Sequence, residues 1–137
     1  MGEKNISITN NLEQAEILSR FVEEVAEEWG LPGKIILNLV LVVEEVVTNI
    51  IFYGYDDRAE HRINLGFSYE DNTITLQVED DGRAFNPLLA APADTTAELH
   101  DCKVGGLGLY LVRKIMDEIT YSRLNNKNIL ILKKHIT

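Results

Sequence analysis

A carboxylate and an amide, Glu45 and Asn49, stand four residues apart inside the apolar stretch 35–51. Four residues is close to one turn of a helix, so both side chains are expected on the same helical face. There a carboxylate can act as a base toward a hydroxyl or water, and an amide oxygen can ligate a divalent cation. Taken alone, the pair favours a simpler interpretation, a polar stripe facing solvent, because buried polar groups without partners cost free energy.

Two aspartates and a glycine, Asp80, Asp81 and Gly82, follow the alternating apolar residues 74–78 of a predicted strand. A buried carboxylate at the end of a strand can accept a hydrogen bond from an amino group such as that of adenine. A turn with solvated aspartates explains the same residues equally well. The local sequence therefore leaves this second candidate site open.

Three glycines, Gly105, Gly106 and Gly108, with Leu107 before the last of them, precede or begin a predicted helix. Backbone amides at such a helix start can approach a phosphate, and the helix dipole favours negative charge there. The segment is not a P-loop, because no Gly-Lys-Ser/Thr follows, and no strand leads directly into it as in a dinucleotide-binding fingerprint. By itself, a glycine turn before a helix is more often punctuation between elements.

The composition of the chain argues against several classes of function. The net charge of −9 makes direct nucleic-acid binding a poor hypothesis, because such binding needs clustered Lys and Arg. A basic protein partner suits this charge better, although many acidic proteins are simply soluble. Cys102 is the only cysteine, so an internal disulfide is excluded, and a reducing, cytoplasmic compartment is expected. Polar residues interrupt the 35–51 run, which argues against a membrane span, and neither a catalytic triad nor metal-ligand spacing of Cys and His is evident.

The periodicity of apolar residues predicts the elements that must position these groups. A short strand is expected at 5–9, and Asn10, with Glu13 three residues later, has the spacing of a helix-capping box. Helical spacing continues to Gly30 and again to about Tyr53, and a third helix should end near Asp117. Because apolar residues cover much of the second helix, it should be the most buried of the three.

Four more strands are expected as two hairpins. The first has a two-residue turn at 71–72, and the second joins strands 118–124 and 128–134 through a turn at 125–127. The strands alternate apolar and polar residues, which is typical of a sheet covered on one face. The fold class is therefore predicted as α+β, a two-layer α/β sandwich with a mostly antiparallel mixed sheet and three helices on one face. Residues 1–137 are expected to form a single domain.

The three candidate sites occur in a fixed order that resembles a known superfamily. The Glu-x-x-x-Asn pattern at 45–49, the Asp-Asp-Gly at 80–82 and the Gly-Leu-Gly at 106–108 resemble the N, G1 and G2 boxes of the GHKL ATPases. Residues 49–55 and 81–87 are, within that superfamily, similar to bacterial anti-sigma-factor serine/threonine kinases of the RsbW and SpoIIAB type. The resemblance covers nearly the whole chain.

The resemblance implies a Bergerat fold that uses ATP and Mg²⁺. It also implies transfer of the γ-phosphate to Ser or Thr on a STAS-domain anti-anti-sigma protein, a sigma factor as a second partner, and homodimerisation. Neither nucleic acid nor a membrane is an expected partner. By position, the resemblance implies that Glu45 is the catalytic base and that Asn49 is a Mg²⁺ ligand. It implies that Asp80 recognises adenine, with Gly82 shaping the turn, and that an ATP lid lies at about 86–104. The residues expected to contact the phosphates are Gly105, Gly106, Leu107, Gly108 and Lys103.

The chain departs from the family pattern at two points. Ala84 stands where the G1 box has its second glycine. Lys127, Asn128 and Ile129 stand where a Gly-Thr pair commonly begins the last strand and touches the adenine. The last strand's adenine contact is therefore left open.

Three functional hypotheses remain at this stage. The first is a Mg-ATP-dependent Ser/Thr kinase of a partner-switching module. The second is an ATP-binding module that sequesters a sigma factor or another partner and transfers no phosphate. Glu45 favours the first, because a protein that only binds nucleotide needs no base. The third is a structural domain that binds no nucleotide.

Overall fold

The computed structural model describes residues 2–86 and 106–136. Lys103 and Gly105 lie outside the described residues, as does all of the expected lid at 86–104 except its first residue. The elements in chain order are β1 (Gly2–Thr9), α1 (Leu12–Glu28), α2 (Gly33–Tyr53), β2 (Arg62–Glu70), β3 (Thr73–Asp80), α3 (Gly106–Ile115), β4 (Glu118–Leu124) and β5 (Lys127–His135).

The five described strands form one sheet in the order β1-β2-β3-β5-β4, and every neighbouring pair is antiparallel. The α+β class is confirmed, but an antiparallel sheet replaces the expected mixed one. The reason is topological. Strands β3 and β4 run in the same direction, but they are not neighbours, because β5 lies between them and pairs antiparallel with both.

Two tight turns hold the hairpins in register. Asp71 and Asn72 have φ values of 52° and 57°, and Asn125 and Asn126 have φ values of 53° and 62°. Left-handed conformation at both central residues suits a two-residue hairpin turn, and Asn and Asp adopt it more readily than most residues. The first turn is confirmed as predicted, and the second is one residue shorter than predicted because Lys127 already belongs to β5.

The core lies between one face of the sheet and the helices. Alternate residues of β2, β3 and β5 point toward the helices and are buried, as the period of two requires. They are Ile63, Leu65, Phe67, Ile74, Leu76, Val78, Leu130 and Leu132. The prediction of helices on one face of the sheet is confirmed.

Helix α2 is the central helix. It packs against both α1 and α3, and Val42 and Val47 are fully buried. By length and apolar composition it is also the one helix among the described residues that could cross a membrane. Core helices of soluble proteins pass the same test, and α2 contributes five residues to the core here: Leu39, Val42, Val43, Val46 and Val47.

The start of α1 differs from the prediction. The N-cap is Asn11, whose side chain accepts a hydrogen bond from the backbone N–H of Glu13 at 2.9 Å. Asn10 instead contacts the segment before β2, where its Oδ1 accepts from the N–H of His61 at 2.9 Å and its Nδ2 donates to Ala59 O at 3.3 Å. Two consecutive asparagines can each cap a helix, and the tertiary contact of Asn10 decides between them.

Candidate functional site

Helix α2 places Glu45 and Asn49 on one face, as their spacing predicts. The Nδ2 atom of Asn49 donates to the backbone oxygen of Glu45 at 2.7 Å, and both residues are partly buried. The amide nitrogen is thus engaged, whereas Oδ1 accepts no hydrogen bond from residues 2–86 or 106–136. That oxygen is the neutral atom that a Mg²⁺ ligand would supply.

The neighbouring carboxylate, Glu44, has a different environment. It is exposed, and its Oε1 accepts a hydrogen bond from the hydroxyl of Ser19 on α1 at 2.9 Å. Successive helical residues lie about 100° apart, so Glu44 faces α1 while Glu45 faces another direction. The two adjacent glutamates are therefore not equivalent.

Asp80 lies at the end of β3 and is 6% exposed. Its Oδ1 accepts two hydrogen bonds, from the N–H of Gly82 at 2.9 Å and from Nδ2 of Asn128 at 3.0 Å. Burial raises the pKa of the carboxyl, and these two donors oppose that rise. The expectation of a buried carboxylate at a strand end is confirmed; its role toward adenine remains a prediction.

Gly82 lies against the end of α2. A Cβ atom at this position would stand 2.5 Å from the backbone oxygen of Gly54 and 2.9 Å from Oδ1 of Asp80, so only glycine fits without displacement. The next residue, Arg83, donates its backbone N–H to Gly54 O at 2.8 Å and its Nε to Tyr53 O at 2.8 Å. The turn after β3 is thereby joined to the helix that bears Glu45 and Asn49.

Asn128 is the site residue that sequence reasoning identified only as a departure from the family. It is 6% exposed and lies on the inward face of β5, alternating with Leu130 and Leu132. Besides Asp80, it contacts Arg83 O, the hydroxyl of Tyr121 and the guanidinium of Arg123. An asparagine at an inward position of an otherwise apolar alternation was the signal that could have identified it.

A second set of polar side chains lies beside Asp80. We name it the His61 cluster, and its members are Tyr55, Asp57, His61 and Asp81. Nε2 of His61 is 2.7 Å from Oδ1 of Asp57, and Nδ1 is 3.2 Å from both carboxylate oxygens of Asp81. Because both ring nitrogens face carboxylates, the doubly protonated imidazolium suits this geometry best. The hydrogen bond to Asp57 is the largest cause that raises the pKa of His61, and the hydrogen bond to Asp81 is the next. The hydrogen bond between His61 and Asp57 also lowers the pKa of Asp57.

The Tyr55 ring stacks on the His61 imidazole with centroids 4.2 Å apart. Its hydroxyl is buried and has no hydrogen-bond partner within the described parts of the chain. Burial, followed by the charges of Asp80 and Asp81, raises the pKa of this phenol, so it stays protonated. Sequence reasoning missed the cluster, because Asp81 is 20 residues away from His61 in the sequence and only the fold brings them together.

The glycine-rich segment begins a helix, as predicted. Helix α3 starts at Gly106, so Gly106, Leu107 and Gly108 occupy its first turn, and α3 packs against α2. The first backbone N–H groups of a helix lack intrahelical partners and can bind an anion. Phosphate binding by this turn stays a prediction, as do the roles of Lys103 and Gly105.

The side chains fit an adenine nucleotide with a divalent cation. In residues 2–86 and 106–136, Oδ2 of Asp80 accepts no hydrogen bond, although the carboxylate is buried. A free oxygen on a buried carboxylate suits a ligand amino group, and Asn49 offers an unused neutral oxygen to a cation. The part of the chain that the structure describes contains no group of three or more His, Cys, Asp or Glu side chains arranged to hold a metal ion, so a cation at this site would rely on few protein ligands.

Comparison with known proteins agrees with this architecture. Residues 8–134 match the model of the histidine kinase-like ATPase domain family. Because the match covers nearly the whole chain, the chain belongs to that family.

Among the curated relatives that the chain resembles are two protein kinases and an anti-sigma factor. The serine-protein kinase RsbW of Oceanobacillus iheyensis is 27% identical over 107 residues, which is 75% of this chain and 66% of the relative. The serine/threonine-protein kinase BtrW of Bordetella bronchiseptica is 26% identical over 115 residues, 84% of this chain and 81% of the relative. The anti-sigma F factor of Anoxybacillus flavithermus is 28% identical over 97 residues, 70% of this chain and 66% of the relative. The chain thus spans slightly less than two thirds of two of these three relatives.

Proposed function

We propose that this protein is an ATP-dependent serine/threonine protein kinase that acts as an anti-sigma regulatory factor in a partner-switching module. The observation that carries the proposal is Asp80, a buried carboxylate with one oxygen held and one available, on a turn joined to the helix of Glu45 and Asn49. The names of the relatives, serine-protein kinase and anti-sigma F factor, support the same class.

Each group has a distinct part in the proposed reaction. Asp80 accepts a hydrogen bond from the adenine amino group, and the first turn of α3 binds the phosphates through its backbone amides. Asn49 would hold Mg²⁺ through its amide oxygen, and a bound ion would supply neutralisation of charge on the phosphates. Phosphoryl transfer depends mainly on positioning and charge neutralisation, so few protein side chains need to enter the chemistry.

Glu45 is the proposed base. Its carboxylate takes the proton from the acceptor hydroxyl of Ser or Thr, and the hydroxyl oxygen forms the new bond to the γ-phosphorus. The bond between that phosphorus and the bridging oxygen breaks, which leaves ADP and a phosphorylated acceptor. Glu45 is partly buried at the polar face of α2, beside the residue proposed to hold the cation.

The proposed acceptor is a STAS-domain anti-anti-sigma protein, with a sigma factor as a second partner, in the cytoplasm. The net charge of −9 suits protein partners better than nucleic acid. A homodimer is part of the same proposal.

The direct test is a transfer assay with the intact chain, Mg-ATP and a candidate STAS protein, followed by mass spectrometry of the partner. We expect one added phosphate on a Ser or Thr of that partner. Measurable ATP binding without transfer to any candidate acceptor would instead support the non-catalytic ATP-binding module. Absence of ATP binding in calorimetry would remove both hypotheses.

A further inference from the structure

Asn128 is a buried amide whose hydrogen-bonding groups are almost fully used. Burying such a group without partners is costly, and this one has partners from three parts of the chain. Nδ2 donates to Oδ1 of Asp80 at 3.0 Å and to Arg83 O at 2.9 Å. Oδ1 accepts from the hydroxyl of Tyr121 and from Nη1 of Arg123, the latter at 3.0 Å.

These partners define which end of the amide points to Asp80. A flipped amide would place its oxygen against the Asp80 carboxylate and its NH₂ group against the Arg123 guanidinium, so both contacts would be repulsive. Arg123 also donates to Gly82 O at 3.0 Å, which ties the end of β4 to the turn after β3. Asn128 therefore presents a donor, in a fixed orientation, to the carboxylate.

We infer that Asn128 is a positioning residue for nucleotide recognition, which holds Asp80 by Oδ1 so that Oδ2 is left for the ligand. This inference rests on the proposed function and concerns the selectivity of the site for adenine over guanine nucleotides. Because both donors to Asp80 in the described residues end on Oδ1, Oδ2 of the ionised carboxylate is left to accept a hydrogen bond from the ligand. An adenine amino group donates to such an oxygen, whereas the carbonyl at the same place on guanine repels it.

The same contact stabilises the ionised form of Asp80. Burial disfavours the carboxylate, and the donors from Asn128 and Gly82, with the positive charge of Arg123, oppose that effect. Removal of the Asn128 donor should raise the pKa of Asp80. A carboxylate at position 128 should raise it further, because two neighbouring carboxylates compete for one proton.

The first test needs no nucleotide. The carboxyl carbon of Asp80 is titrated by NMR in the wild type, Asn128→Ala, Asn128→Asp and a control, Asn125→Asp. Asn125 lies in an exposed left-handed turn, so its substitution adds the same charge without touching Asp80. We expect the Asp80 midpoint to rise by about one pH unit in Asn128→Ala and by more in Asn128→Asp, and to stay unchanged in the control. An unchanged midpoint in folded Asn128→Ala overturns the inference.

The second test measures binding of non-hydrolysable ATP and GTP analogues with Mg²⁺ between pH 5 and pH 8. We expect Asn128→Ala to weaken binding of the ATP analogue about tenfold and to reduce the ratio of its affinity to that of the GTP analogue. The pH at which binding is half lost on acidification should rise together with the midpoint of the Asp80 titration. Asn128→Ser, which keeps one donor, should restore part of each effect and serves also if Asn128→Asp does not fold. A uniform loss of affinity with no change in preference or pH midpoint overturns the inference. If the wild type binds no nucleotide, the proposed function fails, while the NMR titration still decides the contact between Asn128 and Asp80.

Discussion

The backbone oxygen of Gly54 accepts a hydrogen bond from the backbone N–H of Arg83 at 2.8 Å, so the end of α2 contacts the turn after β3. Gly82 makes this approach feasible, since a Cβ atom there would stand 2.5 Å from the same oxygen. The contact places the helix of the proposed base and cation ligand next to the carboxylate proposed to bind adenine. This close approach therefore helps to fix the position of Asp80 relative to the helix of Glu45 and Asn49.

Gly82→Ala should separate these two segments. Because the added methyl group meets backbone and carboxylate oxygens, we expect a loss of about 1–3 kcal/mol in the free energy of unfolding, with weaker ATP binding. Chemical denaturation and calorimetry measure the two effects. The matched control is Gly33→Ala, where the new Cβ meets no atom within 4 Å at the start of α2 and stability should stay equal or rise. Equal stability of the two variants would contradict the close approach.

Asp80→Asn tests the adenine contact. The substitution removes the charge that Gly82 N–H and Asn128 Nδ2 stabilise, and an amide NH₂ group would face these donors or the ligand amino group. We expect ATP affinity to fall by about 100-fold, because a buried polar group is then left unpaired in the complex. Circular dichroism checks that the variant is folded. Normal ATP binding by folded Asp80→Asn would show that the adenine assignment is wrong.

Glu45→Ala and Glu44→Ala separate the proposed base from its neighbour. Glu45 should be required for transfer but not for binding, so its loss should lower the phosphorylation rate by about 100-fold or more and leave ATP affinity within about threefold. Glu44, which contacts Ser19 on α1, should be dispensable for both. Timed transfer assays and calorimetry on the same preparations provide the comparison. Equal transfer rates in the two variants would exclude Glu45 as the base.

The His61 cluster should make stability depend on pH. The pKa of His61 is raised in the folded chain, so its contribution is complete below the ordinary value of about 6.5 and is lost as pH rises through the folded pKa. The pKa of Asp57 is lowered, so its contribution is lost only as pH falls through a value below about 3.9. We expect the stability advantage of the wild type over His61→Gln to be largest between these limits and to decrease at alkaline pH.

Urea denaturation of both proteins from pH 5 to pH 9 measures that advantage, and NMR titration of the His61 ring measures its pKa directly. Asp57→Asn removes the nearer carboxylate, 2.7 Å from Nε2, and should move the midpoint of His61 downward. A stability difference that is constant across this range would contradict the imidazolium interpretation.

Most of the fold could be predicted from the sequence, because its signals are local. Alternation of apolar residues located the strands, the turn at Asp71 and Asn72 located the first hairpin, and helical spacing located α2 and its end at Tyr53. Predictions that required the tertiary arrangement were less accurate. Asn10 was expected to cap α1, yet it contacts Ala59 and His61, and Asn11 has the cap.

The sequence by itself determined the types and spacing of the candidate groups: Glu45 one helical turn before Asn49, Asp80 at a strand end, and glycines at a helix start. Only the tertiary structure decided which of their oxygens are held and which remain available. Asn128 reaches Asp80 across 48 residues of sequence, and His61 reaches Asp81 across 20. Such contacts leave no periodic trace, because they depend on strand order and helix packing, which the local pattern of each element does not specify.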